Sequence, residues 1–418
     1  MKKINVFSIA LIAVAMMASC STNDDVTNQQ GVDPNMKANV TKVLRLSISG
    51  NNGASRASGA IAEGSEATVN NLVVAVYSND DNKVEVSSTP SPAFVSGTFT
   101  TTIKYNTTKP TILVAANVPD DIFKTVAEDG SISYMTKDEF MTKFINLDLT
   151  ANDDKNTQLS TQLPMVGSTS AVTQVIQDGN PVENEYEASV NLYRLVSRIK
   201  LTGIDVSDLP AGESFTVEEI FVRHANTEAG IFNSEIPAPA DLTYFTLSKK
   251  TPAQSLATGI TYEGMKDAIV KDYLVNKYSG TNVWTAGSNA YFYVFPNYNG
   301  TFDTRTQLVI KGTYSVTTTP EGGGAPVTTT ETTYYPIEVN SAQIAGKVDY
   351  TGGSAEGAGT GNILPNHQYT LSVALTGKGQ TPEEFPTEPD PNGGQYNNVK
   401  VTISVAEWAA EIVQHVKF

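Results

Sequence analysis

The sequence predicts a mainly β protein built from β-sandwiches with Greek-key connections, and three observations predict it. Short runs rich in Val, Ile, Thr and Tyr recur along the chain. Gly, Asn and Pro bound most of them, as turn residues should. Only two segments carry helical spacing, so sheets must pack on sheets to bury the apolar faces.

Taken in order, Leu44, Leu46 and Ile48 alternate with Arg45, Ser47 and Ser49, the period-two pattern of a half-buried strand. Residues 72–77 are a continuous apolar run, and 100–105 and 112–116 follow. Further strands are expected at 192–204, 215–222, 291–295, 308–314, 334–339, 369–375 and 399–405. The first helical segment opens on Thr136 and Glu139 in capping-box spacing, with Phe140, Phe144 and Leu147 on one face. The second places Met265, Ile269, Tyr273 and Leu274 together between Gly264 and Tyr278.

Three stretches read as exposed loops: Thr-rich 317–333, Gly-rich 351–361, and 377–398 with Pro382, Pro386, Pro389 and Pro391. The last is expected to set the final residues apart from the body. The length of 418 residues allows two domains. The run 192–204, carrying Arg194, Arg198 and Lys200, reads as the hinge, with a boundary near residue 195.

The amino terminus has the form of an export signal. Lys2 and Lys3 precede the apolar stretch 6–17, and Ala18 and Ser19 lead into Cys20. A spanning helix needs about 20 apolar residues, so this segment is expected to be removed. Cys20 is the single cysteine, which excludes an internal disulfide framework. Its place beside the cleavage point matches a bacterial lipobox, with plain signal cleavage beside a free thiol as the alternative. Polar residues after it form a tether to about residue 36.

Chemistry is sparse. His224, His367 and His415 lie far apart and form no metal-ligand pair. His367 follows Asn366 at a strand start, where a turn role fits. No G-x-S-x-G elbow occurs, and Gly357, Gly359 and Gly361 lack the Lys-Ser/Thr of a phosphate cradle. Adjacent acidic pairs fall in loops. No catalysis and no cofactor are expected, and the net charge of −16 argues against nucleic acid.

The two ends of the chain carry the most information. The strand around Leu44 leads into a loop of small residues, 50–59, with Arg56 at its centre. Such loops are preferred sites of proteolytic nicking; a plain exposed arginine is the alternative. At the other end Val399, Val401, Ile403 and Val405 share one parity and Ile412, Val416 and Phe418 the other, so a kink is expected at 406–411. Strand donation between subunits needs such an arrangement. Both strands packed within their own domains is the other reading.

The chain resembles the FimA/Mfa-type major fimbrillins of Bacteroidales, the type V pilins. The likeness rests on the lipobox at Cys20, the loop 52–57, the run 72–77, and the motifs at 333–337, 364–369 and 405–408. The resemblance implies two transthyretin-like β-sandwich domains and a C-terminal donor-strand extension. It implies a lipid on Cys20, and cleavage between Arg56 and Ala57 by a trypsin-like protease. A neighbour's donor strand, with Val399, Val401, Ile403, Val405, Ile412, Val416 and Phe418, would then fill the groove. The expected division is a signal peptide at 1–19, a lipidated tether at 20–36, and a removable strand at 37–56. Domains at 57–195 and 196–376 follow, then linker and donor strands at 377–418. The implied role is a shaft subunit at the outer membrane and cell surface, partnered by identical subunits and by minor anchor and tip subunits. An anchor or tip subunit, a non-polymerising glycan-binding lipoprotein, and a surface hydrolase are the alternatives.

Overall fold

In a computed structural model the described residues are 42–49, 66–78, 84–88, 98–119, 122–146, 162–231, 274–297, 305–342, 348–350, 359–382 and 398–407, with short interruptions inside several of these stretches. Cys20, Arg56, Ala57, Ile412, Val416 and Phe418 lie outside them.

β-branched and aromatic residues dominate these stretches, and the described chain is accordingly strand upon strand. Four main sheets carry the fold. The first orders β10 (Thr173–Gln177), β11 (Asn180–Asn191), β1 (Lys42–Ser49) and β4 (Thr98–Tyr105). The second orders β12 (Tyr193–Arg194), β9 (Met165–Thr169), β5 (Pro110–Ala116), β2 (Leu72–Ser78) and β3 (Val84–Ser88). The third orders β17 (Ala290–Val294), β13 (Ser197–Asp205), β21 (His367–Leu375), β22 (Val399–Glu407) and β20 (Val348–Tyr350). The fourth orders β16 (Leu274–Lys277), β14 (Glu213–Arg223), β18 (Gln307–Thr318) and β19 (Val327–Glu338). Two small ribbons pair β6 (Lys124–Val126) with β7 (Ile132–Tyr134), and β8 (Phe144–Asn146) with β15 (Glu228–Gly230).

The first and second sheets enclose one apolar core, and the third and fourth another. β2 and β5 are buried at every position, which explains why 72–77 and 112–116 are apolar without alternation. β21 is buried at alternate positions and faces its core on one side only. β17 belongs to both cores: Phe292 and Val294 enter the second, while Tyr293 joins the first. Glycine permits close approach at two crossings. A Cβ on Gly167 would lie 2.2 Å from the Asn191 carbonyl oxygen, and one on Gly312 would lie 2.0 Å from that of Thr216.

Several expectations are revised. The capping box forms, with the Thr136 N–H donating to Glu139 at 2.7 Å and the Glu139 N–H donating to the Thr136 hydroxyl at 3.2 Å. Its described helical part is only Asp138 and Glu139, and Phe144 belongs to strand β8. Pairing with β15 overrides the helical spacing there. Likewise Leu274 opens strand β16, because β14 offers an edge to Leu274–Lys277. The Thr-rich stretch 317–333 is mostly the ends of β18 and β19, where β-branched threonine suits the ladder and only 319–326 turns.

Candidate functional site

β1 is an interior strand, not an edge. It runs parallel to β11, with Leu46 opposite Ala188, and antiparallel to β4, with Leu46 opposite Thr101. Leu44, Leu46 and Ile48 are wholly buried, and Arg45 points outward to pair with Glu185. At the strand's start Lys42 Nζ donates to the Thr107 carbonyl at 2.7 Å. The same ammonium lies 5.6 Å from the Tyr105 ring centre and 5.8 Å from that of Tyr186, so two aromatic faces share its charge. Those rings meet edge to face at 6.1 Å. Lifting β1 out would leave β4 and β11 with unpaired backbone on both walls and the first core open between them.

The chain re-enters the described residues at Glu66, which is held in a buried polar cluster. Arg198 Nη1 donates to both Glu66 carboxylate oxygens, at 2.7 and 2.6 Å, and the Tyr293 hydroxyl donates to one of them at 2.6 Å. Arg194 donates through Nε and Nη2 to the Glu66 carbonyl at 3.2 and 3.1 Å. Arg198 also donates to Gln368, and the Ser197 hydroxyl to the Leu364 carbonyl. Burial pushes the Arg194 guanidinium down to about 10, opposed by the Glu66 carboxylate and reinforced by the Arg198 charge. In the run 192–204, β12 of the second sheet passes into β13 of the third, with Leu195 and Val196 fully buried. Its arginines pack inside.

At the other end, Val399, Val401 and Ile403 alternate as expected, but they face the second core of their own chain. β22 pairs with β21 along its whole length, and Val405 stands opposite Tyr369. β20 lies along its other edge. Val399–Glu407, after the proline-rich stretch, thus return to the body. Of the expected donor positions, Val399, Val401, Ile403 and Val405 are already committed within the chain. Sequence pattern could not separate donor from resident, because both need the same alternation.

Glu66, Tyr293 and the β11 wall of the β1 slot were not singled out from the sequence. The only signal was the pair Arg194 and Arg198 in an otherwise apolar run, which calls for a buried acid. His367 is buried, its Nδ1 2.7 Å from the Pro365 carbonyl, and it follows Asn366 at φ 55°, as a turn residue would. Trp284 packs edge to face on Tyr278 against the second core. Among the described residues no group of three or more His, Cys, Asp or Glu could hold a metal ion.

Residues 42–194 match the family model described as major fimbrial subunit protein (FimA). That is the family the sequence resembles, and the match spans β1 through β12. Comparison with the curated proteins returns no match. Among solved structures, a fimbrilin (FimA) from Porphyromonas gingivalis superposes with a TM-score of 0.54 at 18% identity, covering 88% of this chain and 99% of its own. A candidate cell adhesion protein from Bacteroides eggerthii gives 0.53 at 19% identity, with 88% and 98% coverage. Another from Parabacteroides distasonis gives 0.53 at 18%, with 88% and 99%. The chain has the FimA fold.

Proposed function

We propose that this chain, with its FimA-family region at 42–194, is a shaft subunit of a surface fimbrium that polymerises by strand exchange. One observation carries the reading: the first strand among the described residues is an interior strand whose loss would open a slot walled on both sides. In this reading the precursor is lipidated at Cys20 and cut between Arg56 and Ala57 by a trypsin-like protease, and β1 departs. Two β-sandwich domains form the body, the first at 57–195 and the second at 196–376 completed by β22.

The donor is then the tail beyond β22, residues 408–418, with Ile412, Val416 and Phe418 as its inward face. At about 3.4 Å per residue that segment reaches roughly 37 Å when extended, longer than the roughly 27 Å of β1. Each buried apolar side chain contributes about 1.5–3 kcal/mol and each main-chain hydrogen bond a net ~0.5–1.5 kcal/mol. Identical subunits, and minor anchor and tip subunits, are the partners on the cell surface. Amino-terminal sequencing of surface polymers tests the cut: a start at Ala57 is expected, and a start at Cys20 would refute it. Deleting 410–418 should give folded, cleaved monomers. Polymers that survive mild detergent without that tail would overturn the donor assignment.

A further inference from the structure

The segment Glu66–Asn71 leads into β2, and its described residues are held by several partners. Glu66 is 1% exposed and accepts hydrogen bonds from Arg194, Arg198 and Tyr293. Val69 is wholly buried in the first core. Asn117, in the left-handed region at φ 56°, sits just past β5 and donates to the Thr68 carbonyl at 2.8 Å. Its Oδ1 accepts the Asn70 N–H at 2.8 Å, and its own N–H donates to the Asn71 carbonyl at 3.2 Å. Asn71 Nδ2 donates to the Val118 carbonyl at 2.6 Å. Asn117 also donates to the Leu163 carbonyl at 2.9 Å, which ties the staple to the approach to β9.

None of these partners lies on β1, β4, β10 or β11. Arg194 is on β12, Arg198 on β13 and Tyr293 on β17, all in the second and third sheets. The hydrogen-bonded anchor and the slot therefore draw on different strands, while Val69 shares the first core with Leu44, Leu46 and Ile48 of β1. A strand whose entry is this firmly held should not fray when the chain before it is broken, because its terminal hydrogen bonds no longer rely on covalent continuity.

We propose that Glu66 and Asn117 form a chain anchor that isolates the body from a break in residues 50–65, so that cleavage turns β1 into a separately held, exchangeable strand while β2 keeps its place. This rests on the cleavage reading above for its biological use, but its physics does not. The anchor acts as a firewall: sheet order β12-β9-β5-β2-β3 persists through the cut, and only the first sheet loses a member.

The test uses the full chain with a site-specific protease recognition sequence placed in the 50–56 loop, followed by hydrogen exchange read by mass spectrometry. In the otherwise unaltered chain, amide protection of 72–78 should change less than about threefold on cutting, while exchange in 42–49 and in its β4 and β11 partners rises. In Glu66→Gln, protection of 72–78 should fall at least tenfold on cutting, measured against the same variant before the cut. Asn117→Gly keeps the left-handed backbone and removes the side-chain staples, so it gives a second reading should Glu66→Gln fold poorly. Loss of β2 protection on cutting the parent, or the same change on cutting in the parent and both variants, would overturn the anchor. No polymer is needed for any readout. A protein that behaves as described here yet never assembles through its tail would refute the fimbrial reading and leave the anchor standing.

Discussion

Arg198 Nη1 donates to both carboxylate oxygens of Glu66 although 132 positions separate the two residues, and both side chains are 2% exposed. The contact links the first strand of the third sheet to the chain entering the second. Removing one partner of a buried pair leaves the other charge stranded.

Arg198→Ala is therefore expected to lower unfolding free energy by about 3–5 kcal/mol. Glu66→Gln keeps hydrogen-bonding capacity and should cost less, about 1–3 kcal/mol. Joint replacement by Leu at 66 and Met at 198 should recover most of the loss. Urea denaturation of the three variants checks the order, and equal losses for the two single changes would contradict it.

The carboxyl-terminal boundary gives a sharp contrast. Ending the chain after Glu407 should leave β-content and denaturation midpoint unchanged, because β22 stays between β21 and β20. Ending it after Asn398 removes Val399, Val401 and Ile403 from the second core and should abolish cooperative unfolding of that core. Circular dichroism with urea titration distinguishes the two.

Two strand glycines should respond differently to alanine. Gly312→Ala puts a methyl against the Thr216 backbone and the Phe215 ring, and should cost about 1–3 kcal/mol. At Gly203 the nearest atom is Ser372 Oγ at 4.0 Å, so Gly203→Ala should stay within about 0.5 kcal/mol of the parent. Thermal unfolding measures both.

High pH should unfold the protein through its tyrosines. Burial pushes Tyr278 and Tyr335 up to about 12 from 10.0, and holds Tyr77 well above its ordinary value. Groups with raised folded values bind the proton more tightly when folded. Their stabilisation is complete below pH 10.0 and is lost as pH climbs toward about 12. Arg194 works in the opposite sense, since its lowered value makes deprotonation above about 10 favour the fold. Three tyrosines against one arginine should leave a net loss. Tyrosinate absorbance is expected to rise together with loss of circular dichroism; full tyrosine ionisation in a still folded protein would refute this.

The strand pattern was readable because strand periodicity is local. Leu44, Leu46 and Ile48 alternate in sequence and are buried in the structure, and the continuous run at 72–77 became a strand buried on both faces. Turn chemistry was local too, as Asn366 and the Thr136–Glu139 box show. Helical spacing at Phe144 and Leu274 misled, because a neighbouring strand edge outweighs propensity in short segments.

What the sequence by itself determined is the set of apolar faces, the likeness to fimbrillins, and the unusual placing of Arg194 and Arg198 in an apolar run. Only the tertiary structure decided who covers each face. It put β1 in the middle of a sheet, gave β22 to its own core, and brought Glu66 and Tyr293 to the two arginines. The reason is physical: alternation and composition say that a side must be buried, while the partner is selected by register and packing between residues far apart in the chain.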